Sequence, residues 1–315
     1  MVDNAPKRSA RAVATKGTLL SAFLHSRKVV PYVFASPFIL FFLIFFLYPI
    51  CYTGYMSLYS VKGFAPPQFS GLANYALLKN DYFIKAVTIS AQYTFWTCLI
   101  LIPVPLVLAN MLNSGSVKRP NAVKAALFIP ALTSVVMAGL FFRYSFAANE
   151  NAVFNAILRW IGLPAQDWLA QKNTTMIVLV TFCCWKWMGV NIVYYLSALQ
   201  SVPGDLYESG RIDGANAVQQ FFHITVPSLR PTIIYVLTIS IYGGFSMFAE
   251  SYTLFNSART PGDIGATIVG YIYSQGFNRN NFGLASAAGI VLLGIVLAVN
   301  VAQLGLTGSF KREGR

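Results

Sequence analysis

An all-α integral membrane protein with six transmembrane helices is the fold class that this sequence predicts, and three observations predict it. Of 315 residues, 56% are hydrophobic and 10% charged, whereas a soluble domain carries about 25% charged residues. The apolar residues gather in six runs, each long enough to supply the roughly 20 helical residues that cross a hydrocarbon core. The 23 Lys and Arg residues, which outnumber 10 Asp and Glu and leave a net charge of +13, stand mainly at the ends of those runs. One soluble core could not hide this much apolar surface. The composition therefore excludes a disordered chain and argues against a soluble enzyme, and the placement of the charge argues against a nucleic-acid partner. Helices win over a barrel because the runs lack the period-2 alternation of barrel strands.

Taken in order, residues 1–28 form a polar, basic segment with Lys7, Arg8, Arg11, Lys16, Arg27 and Lys28. The first span is predicted from about Val29 to Leu58. Its core is far longer than a signal peptide needs, and no small-x-small cleavage pattern directly follows, so it is expected to be retained. The second span covers about Ile84 to Leu112 and contains Pro103 and Pro105. The third covers about Val123 to Ala147, the fourth about Thr174 to Leu199, the fifth about Leu229 to Phe255 and the sixth about Phe282 to Leu306. The sequence thus divides into 1–28, a first span with its outer segment at 29–82, a five-helix core at 83–306 and a tail at 307–315. With the N-terminus inside, the inner pieces hold fourteen basic residues and the outer pieces eight, with Lys186 left inside a span. The excess favours both termini in the cytoplasm.

The connection 200–231 is longer than a turn needs. Pro203 and Asp205 suit a helix start, Gly214 permits a bend, and Val218, Phe221, Phe222 and Thr225 recur at helical spacing. Pro227 and Pro231 are expected to stop that second helix and open the fifth span. Two short helices on the membrane face fit a headgroup-packing pair or an element that docks into a partner's groove. The four cysteines, Cys51, Cys98, Cys183 and Cys184, lie in apolar runs without ligand spacing, so no metal site is expected.

The same connection carries a family resemblance. Glu208-Ser209-Gly210-Arg211-Ile212-Asp213-Gly214-Ala215, five residues, then Phe221, Ile224, Pro227, Leu229 and Pro231, resembles the EAA loop of the membrane subunits of binding-protein-dependent ABC importers. Its pattern is E-A-A-x-x-D-G-A, five residues, F-x-x-I-x-x-P-x-L-x-P. Ser209 and Gly210 replace the two alanines, and every other marked position fits. Phe69-Ser70-Gly71-Leu72-Ala73-Asn74-Tyr75 and Tyr48-Pro49 are similar to segments of sugar-importer permeases. The likeness covers about residues 30–306 and is strongest to permeases of the maltose and arabino-oligosaccharide type. It lacks the large outer domain of the maltose-importer subunit.

The resemblance implies a type I ABC importer permease fold in a bacterial cytoplasmic membrane. It implies a coupling helix that docks in a cytoplasmic ATPase through Glu208, Asp213 and Gly214, supported by the rest of the motif. Implied partners are a second, related permease, two ATPase subunits, an extracytoplasmic solute-binding protein and a sugar. This chain has no G-x-x-x-x-G-K-[ST] loop. It is expected to bind no cofactor and to be no enzyme, with ATP and Mg on the partner ATPase.

For the substrate path, Lys186 stands out, being roughly 18 Å from either end of its span at 1.5 Å per residue. Such an ammonium faces either a water-filled cavity or a structural partner, an acid or a carbonyl on a neighbouring helix. Trp187 beside it offers a face for a sugar ring or a helix anchor. By resemblance, sugar contacts come from spans four and five, which nominates Gly189, Asn191, Gly244, Ser246 and Glu250 together with Lys186 and Trp187. An acidic oligosaccharide or a sugar phosphate is an alternative cargo. A self-contained secondary carrier is an alternative class, which lacks support because only Lys186 is an intramembrane ion. The Gly283–Gly294 stretch, rich in small residues, is expected to pack closely, against the partner permease among other helices.

Overall fold

The structure, a computed structural model, describes residues 30–63, 65–115 and 117–308. The basic segment 1–28 and the residues after 308 lie outside the described residues. The chain divides into two units, one ending at Thr53 and the other starting at Gly54.

The first unit holds most of α1 (Val30–Ser57). Pro37 sits inside this helix and supplies no N–H to the Val33 carbonyl four residues back. The Ser36 hydroxyl donates to that carbonyl instead, at 2.8 Å. A π-helical turn at Leu43–Leu47 follows, and aromatic rings line the helix, with Phe42 and Phe46 stacked at 6.0 Å.

The second unit begins with an antiparallel pair, β1 (Tyr59–Ser60) and β2 (Gln68–Phe69), in which Tyr59 faces Phe69. α2 (Ala73–Leu77) follows. Here the outer motif has a structural use. Buried Asn74 donates to the Ser57 and Tyr59 carbonyls at 2.8 and 2.9 Å, and the Tyr75 hydroxyl meets Ser57 Oγ at 2.8 Å.

The second span is α3 (Asp81–Leu101) and α4 (Pro103–Asn113), jointed at Ile102. The third differs from the single helix predicted: α5 (Pro120–Leu132) and α6 (Val135–Ser145) meet at 97°. Thr133 and Ser134 are extended there (ψ 142 and 135°), three residues after Pro130. An outer helix that the sequence reading did not foresee, α7 (Val153–Trp160), follows. α8 (Lys172–Leu199) is the fourth span. α9 (Gly204–Ile212) and α10 (217–228, through a π-turn at Phe221–Thr225) form the loop. The fifth span is α11 (Arg230–Phe245) and α12 (Ala249–Phe255). α13 (Ile268–Tyr273) lies outside the spans, and α14 (Phe282–Leu306) is the sixth.

Three apolar clusters hold these helices. One joins α3, α11, α13 and α14 through Phe83, Ile241, Tyr271 and Ala287. A second joins α3, α6, α8 and α12 through Tyr93, Phe142, Phe182 and Leu254. The third joins α4, α8 and α11 through Leu106, Tyr195 and Val236. α3, α8 and α11 each enter two of them and so tie the unit together. The small-residue stretch of α14 packs within its own chain: Gly283, Ala285, Ala287 and Ala288 are all buried, so those residues are not free for a partner permease.

Candidate functional site

Two places gather the predicted residues: the loop between α8 and α11, and a cavity among α3, α8 and α11.

In the loop, α9 starts after Pro203 with Asp205 in its first turn, where a carboxylate meets the positive end of the helix dipole. It ends in a Schellman cap. The Ala215 N–H donates to the Gly210 carbonyl at 2.8 Å and the Gly214 N–H to the Arg211 carbonyl at 3.1 Å. Gly214 takes φ +80°, the left-handed conformation that side chains with a Cβ resist. One residue later Asn216 and Gln219 make a reciprocal capping box that starts α10. The two helices are tied by Tyr207 to Thr225 (3.0 Å) and by Gln220 Nε2 to the Ala215 carbonyl (3.0 Å). The expected single apolar face of α10 is in fact two. Thr225 turns inward and Phe221 is half-buried, while Val218 and Phe222 point out. α10 ends at Ser228, one residue after Pro227, as the prolines predict. The chain breaks at Leu229 and α11 opens at Arg230 and Pro231.

The loop's outside is what a partner would meet. Ile212 is 86% exposed, and Leu206, Val218 and Phe222 are exposed too. Glu208 is exposed beside Arg211 at 3.9 Å, a contact that solvent leaves weak. Between α9 and α10 runs a groove of about 460 Å³ lined by Ser209, Gly210, Asp213, Gly214, Ala215 and Ile224 among others. A Cβ on Gly210 would lie 3.0 Å from Ile224 Cδ1, so glycine here lets the two helices approach closely. Of the remaining motif residues, Leu229 is buried in the third cluster and Pro231 opens α11. The foot of α11 is fixed by Arg230 donating to the Thr307 carbonyl at the end of α14.

The cavity, about 320 Å³, brings together five of the seven predicted path residues: Trp187, Asn191, Gly244, Ser246 and Glu250. Glu250 is the sole charged side chain among its lining residues. The other two predicted residues do not line it. Lys186, 7% exposed, donates from Nζ to the Thr133 carbonyl at 2.7 Å and lies over the Trp187 ring at 5.8 Å. Thr133 precedes the N-cap of α6, so its carbonyl takes no helical bond, and the ammonium supplies the donor. Gly189 faces α5 so closely that an added Cβ would overlap the Leu127 carbonyl; it is a helix-crossing residue. Gly244 serves both purposes, lining the cavity while crossing α3 so tightly that a Cβ would overlap the Thr94 side chain.

Asn191 also has a structural partner. Its amide donates to the Leu101 carbonyl at 3.0 Å. That carbonyl lost its helical donor because the residue four positions on is Pro105.

The sequence reading missed the contribution of span two: Tyr93, Thr97 and Leu101 line the cavity together with Cys183. A signal was present. Ser90, Tyr93, Thr94 and Thr97 form a polar stripe at helical spacing in an apolar helix, and all four are buried. Among the described residues, no group of His, Cys, Asp and Glu is arranged to hold a metal.

Comparison with known proteins matches residues 168–307 to the family "binding-protein-dependent transport system inner membrane component". The chain is 49% identical over 290 residues to an arabinooligosaccharides transport system permease protein of Bacillus subtilis, covering 92% of each chain. It is similar in structure to a chain of a bacterial ABC transporter involved in import of the acidic polysaccharide alginate. That match has a TM-score of 0.79 and 26% identity, covering 94% of this chain and 100% of the other. A further match is a bacterial alginate ABC transporter in complex with an alginate pentasaccharide-bound periplasmic protein, with a TM-score of 0.77 and 25% identity, covering 92% and 97%.

Proposed function

The chain belongs to the family of binding-protein-dependent transport system inner membrane components, and from that premise we propose how its two sites divide the work. It is the multi-pass permease subunit of a sugar or oligosaccharide ABC importer with a type I permease fold. Membership sets aside the self-contained carrier.

The loop of α9 and α10 is the coupling element, seated in a groove of a cytoplasmic ATPase that binds ATP and Mg. The observation that carries this reading is the outward display of Ile212, Leu206, Val218 and Phe222 on a loop fixed by a Schellman cap and a capping box. A loop that only filled space would turn these side chains inward. Glu208 and Asp213 are exposed on the same loop, available for a cation of the partner. With the loop in the cytoplasm, both termini are cytoplasmic as well. The assembly contains a second permease, two ATPase subunits and an extracytoplasmic solute-binding protein.

The cavity of Tyr93, Trp187, Asn191, Ser246 and Glu250 is the part of the path that holds sugar. Its one charge is a carboxylate and Lys186 is spent on a carbonyl, which favours a neutral oligosaccharide over an acidic sugar or a sugar phosphate. The Bacillus relative's name points to the arabino-oligosaccharide class.

The test is purification of the tagged chain from its native membrane beside an Ile212→Asp variant. Co-purification of an ATPase and a second permease with the wild type, and loss of the ATPase alone from the variant, supports the coupling role. An ATPase held equally by both refutes it.

A further inference from the structure

α7 is an eight-residue helix whose surroundings are fixed and whose outer side is bare. Its anchor is Asn155, fully buried and bonded on every side. The amide nitrogen donates to the carbonyls of Ala147, Asn149 and Gln166 at 3.0–3.2 Å. The amide oxygen accepts from the Gln166 N–H at 3.0 Å and from Trp168 Nε1 at 2.8 Å. Phe154 stacks on Phe146 at 3.8 Å between ring centres. These contacts lock α7 to the end of α6 and to the residues that open α8.

The opposite side carries Val153, Ile157, Trp160, Ile161 and Leu163, all exposed, with Trp160 at 87%. Arg159 stands at its edge and, among the described residues, has no ion-pair partner. α6, part of a membrane-spanning segment, also exposes apolar side chains, Val136, Met137, Phe141 and Tyr144. The level of α7 is set by α8. The Asn155 hub reaches Gln166 and Trp168, just before Lys172, and the other end of α8, roughly 40 Å away at 1.5 Å per residue, opens into the coupling loop. α7 therefore lies at the membrane face remote from that loop.

We propose that α7 is an interfacial foot. It lies in the headgroup region of that leaflet, with Trp160, Ile157 and Val153 in the acyl boundary and Arg159 on lipid phosphate. An amphipathic helix with a Trp and a cation at one rim has the composition that this layer selects. Because Asn155 ties it to α6, the foot holds the outer half of the broken third span at a fixed depth.

The experiment uses the full chain in nanodiscs of phospholipid brominated either high on the acyl chain or near its end. Wild type is compared with Trp160→Phe, and the difference spectrum isolates the Trp160 emission. The expected result is strong quenching by the shallow bromine, weaker quenching by the deep one and little by aqueous acrylamide. Restoring the lost signal at the neighbouring position, with Ile161→Trp in the Trp160→Phe background, should reproduce the shallow quenching. Acrylamide quenching without bromine quenching would overturn the proposal. So would bromine quenching that disappears when the extracytoplasmic binding protein is added, because α7 would then be a protein-docking surface.

Discussion

Lys186 Nζ sits 2.7 Å from the carbonyl oxygen of Thr133, and the carbonyl is bare because the third span turns by 97° at that residue. The ammonium thus completes a bend instead of facing the cavity. Lys186→Met is expected to leave that part-buried carbonyl without its donor, at a cost of about 1 kcal/mol, the low end for such a group. Thermal unfolding of the detergent-solubilised protein should shift down, with the transport KM of the surviving protein unchanged. A changed KM at unchanged stability would return Lys186 to the substrate path.

Asn191 and Pro105 form a second such pair. Asn191→Leu is expected to destabilise because the Leu101 carbonyl loses its donor. Pro105→Ala restores a backbone N–H at the position four residues on, so the two substitutions together should cost less than their sum. The coupling expected between residues that share one partner is about 0.5–3 kcal/mol. A double-mutant cycle on unfolding midpoints measures it, and additive losses would show that Asn191 serves the cavity alone.

These two pairs mark how far the sequence could be read. Apolar length alone gave the spans, since each predicted range overlaps an observed helix or helix pair. The EAA-like spacing located α9, its glycine bend and α10. The break in span three was not legible. Pro130 signals a disturbance, but the carbonyl bared by the 97° turn finds its donor in Lys186, 53 residues later. The roles of Gly189 and Gly244 depend on which helix lies opposite, and spacing along one helix carries no such information. α7 escaped notice because it is too short to register as a span, and its polar hub, Asn155, resembles any loop asparagine until Gln166 and Trp168 are brought against it.

In the coupling loop, Gly214→Ala forces a Cβ into the left-handed region and should cost about 1–2 kcal/mol. The loss should fall on ATPase capture more than on the membrane helices, because Gly214 touches only the loop. Gly210→Ala restores the family's alanine and needs only the flexible tip of Ile224 to yield by a few tenths of an ångström, so near-normal capture is expected. Gly210→Leu would force α9 and α10 apart and should abolish it. Co-purified ATPase per permease, read by quantitative gel or mass spectrometry, ranks the three variants. Equal capture by all of them would mean that the fit of α9 on α10 does not govern docking.

Glu250 and Trp187 offer the sharpest division between holding sugar and holding the fold. Glu250 opens α12 and lines the cavity together with Asn191 and Trp187 of α8. Its carboxylate makes no ion pair among the described residues, so Glu250→Gln keeps the shape and removes only the charge. Carbohydrate hydroxyls donate more strongly to a carboxylate than to an amide. If Glu250 accepts such bonds, Glu250→Gln should raise the KM of ATP-dependent uptake about tenfold, which corresponds to about 1.4 kcal/mol, with the unfolding midpoint unchanged. Trp187→Leu should raise KM as well by removing a stacking face, but it also removes the ring beneath Lys186 and should lower stability. Uptake by reconstituted importer in vesicles, across a series of neutral and acidic oligosaccharides, separates the cases. A Glu250→Gln variant that improves uptake of acidic sugars while leaving neutral ones untouched would reassign the residue from ligand to charge filter. No change in either series would remove Glu250 from the path.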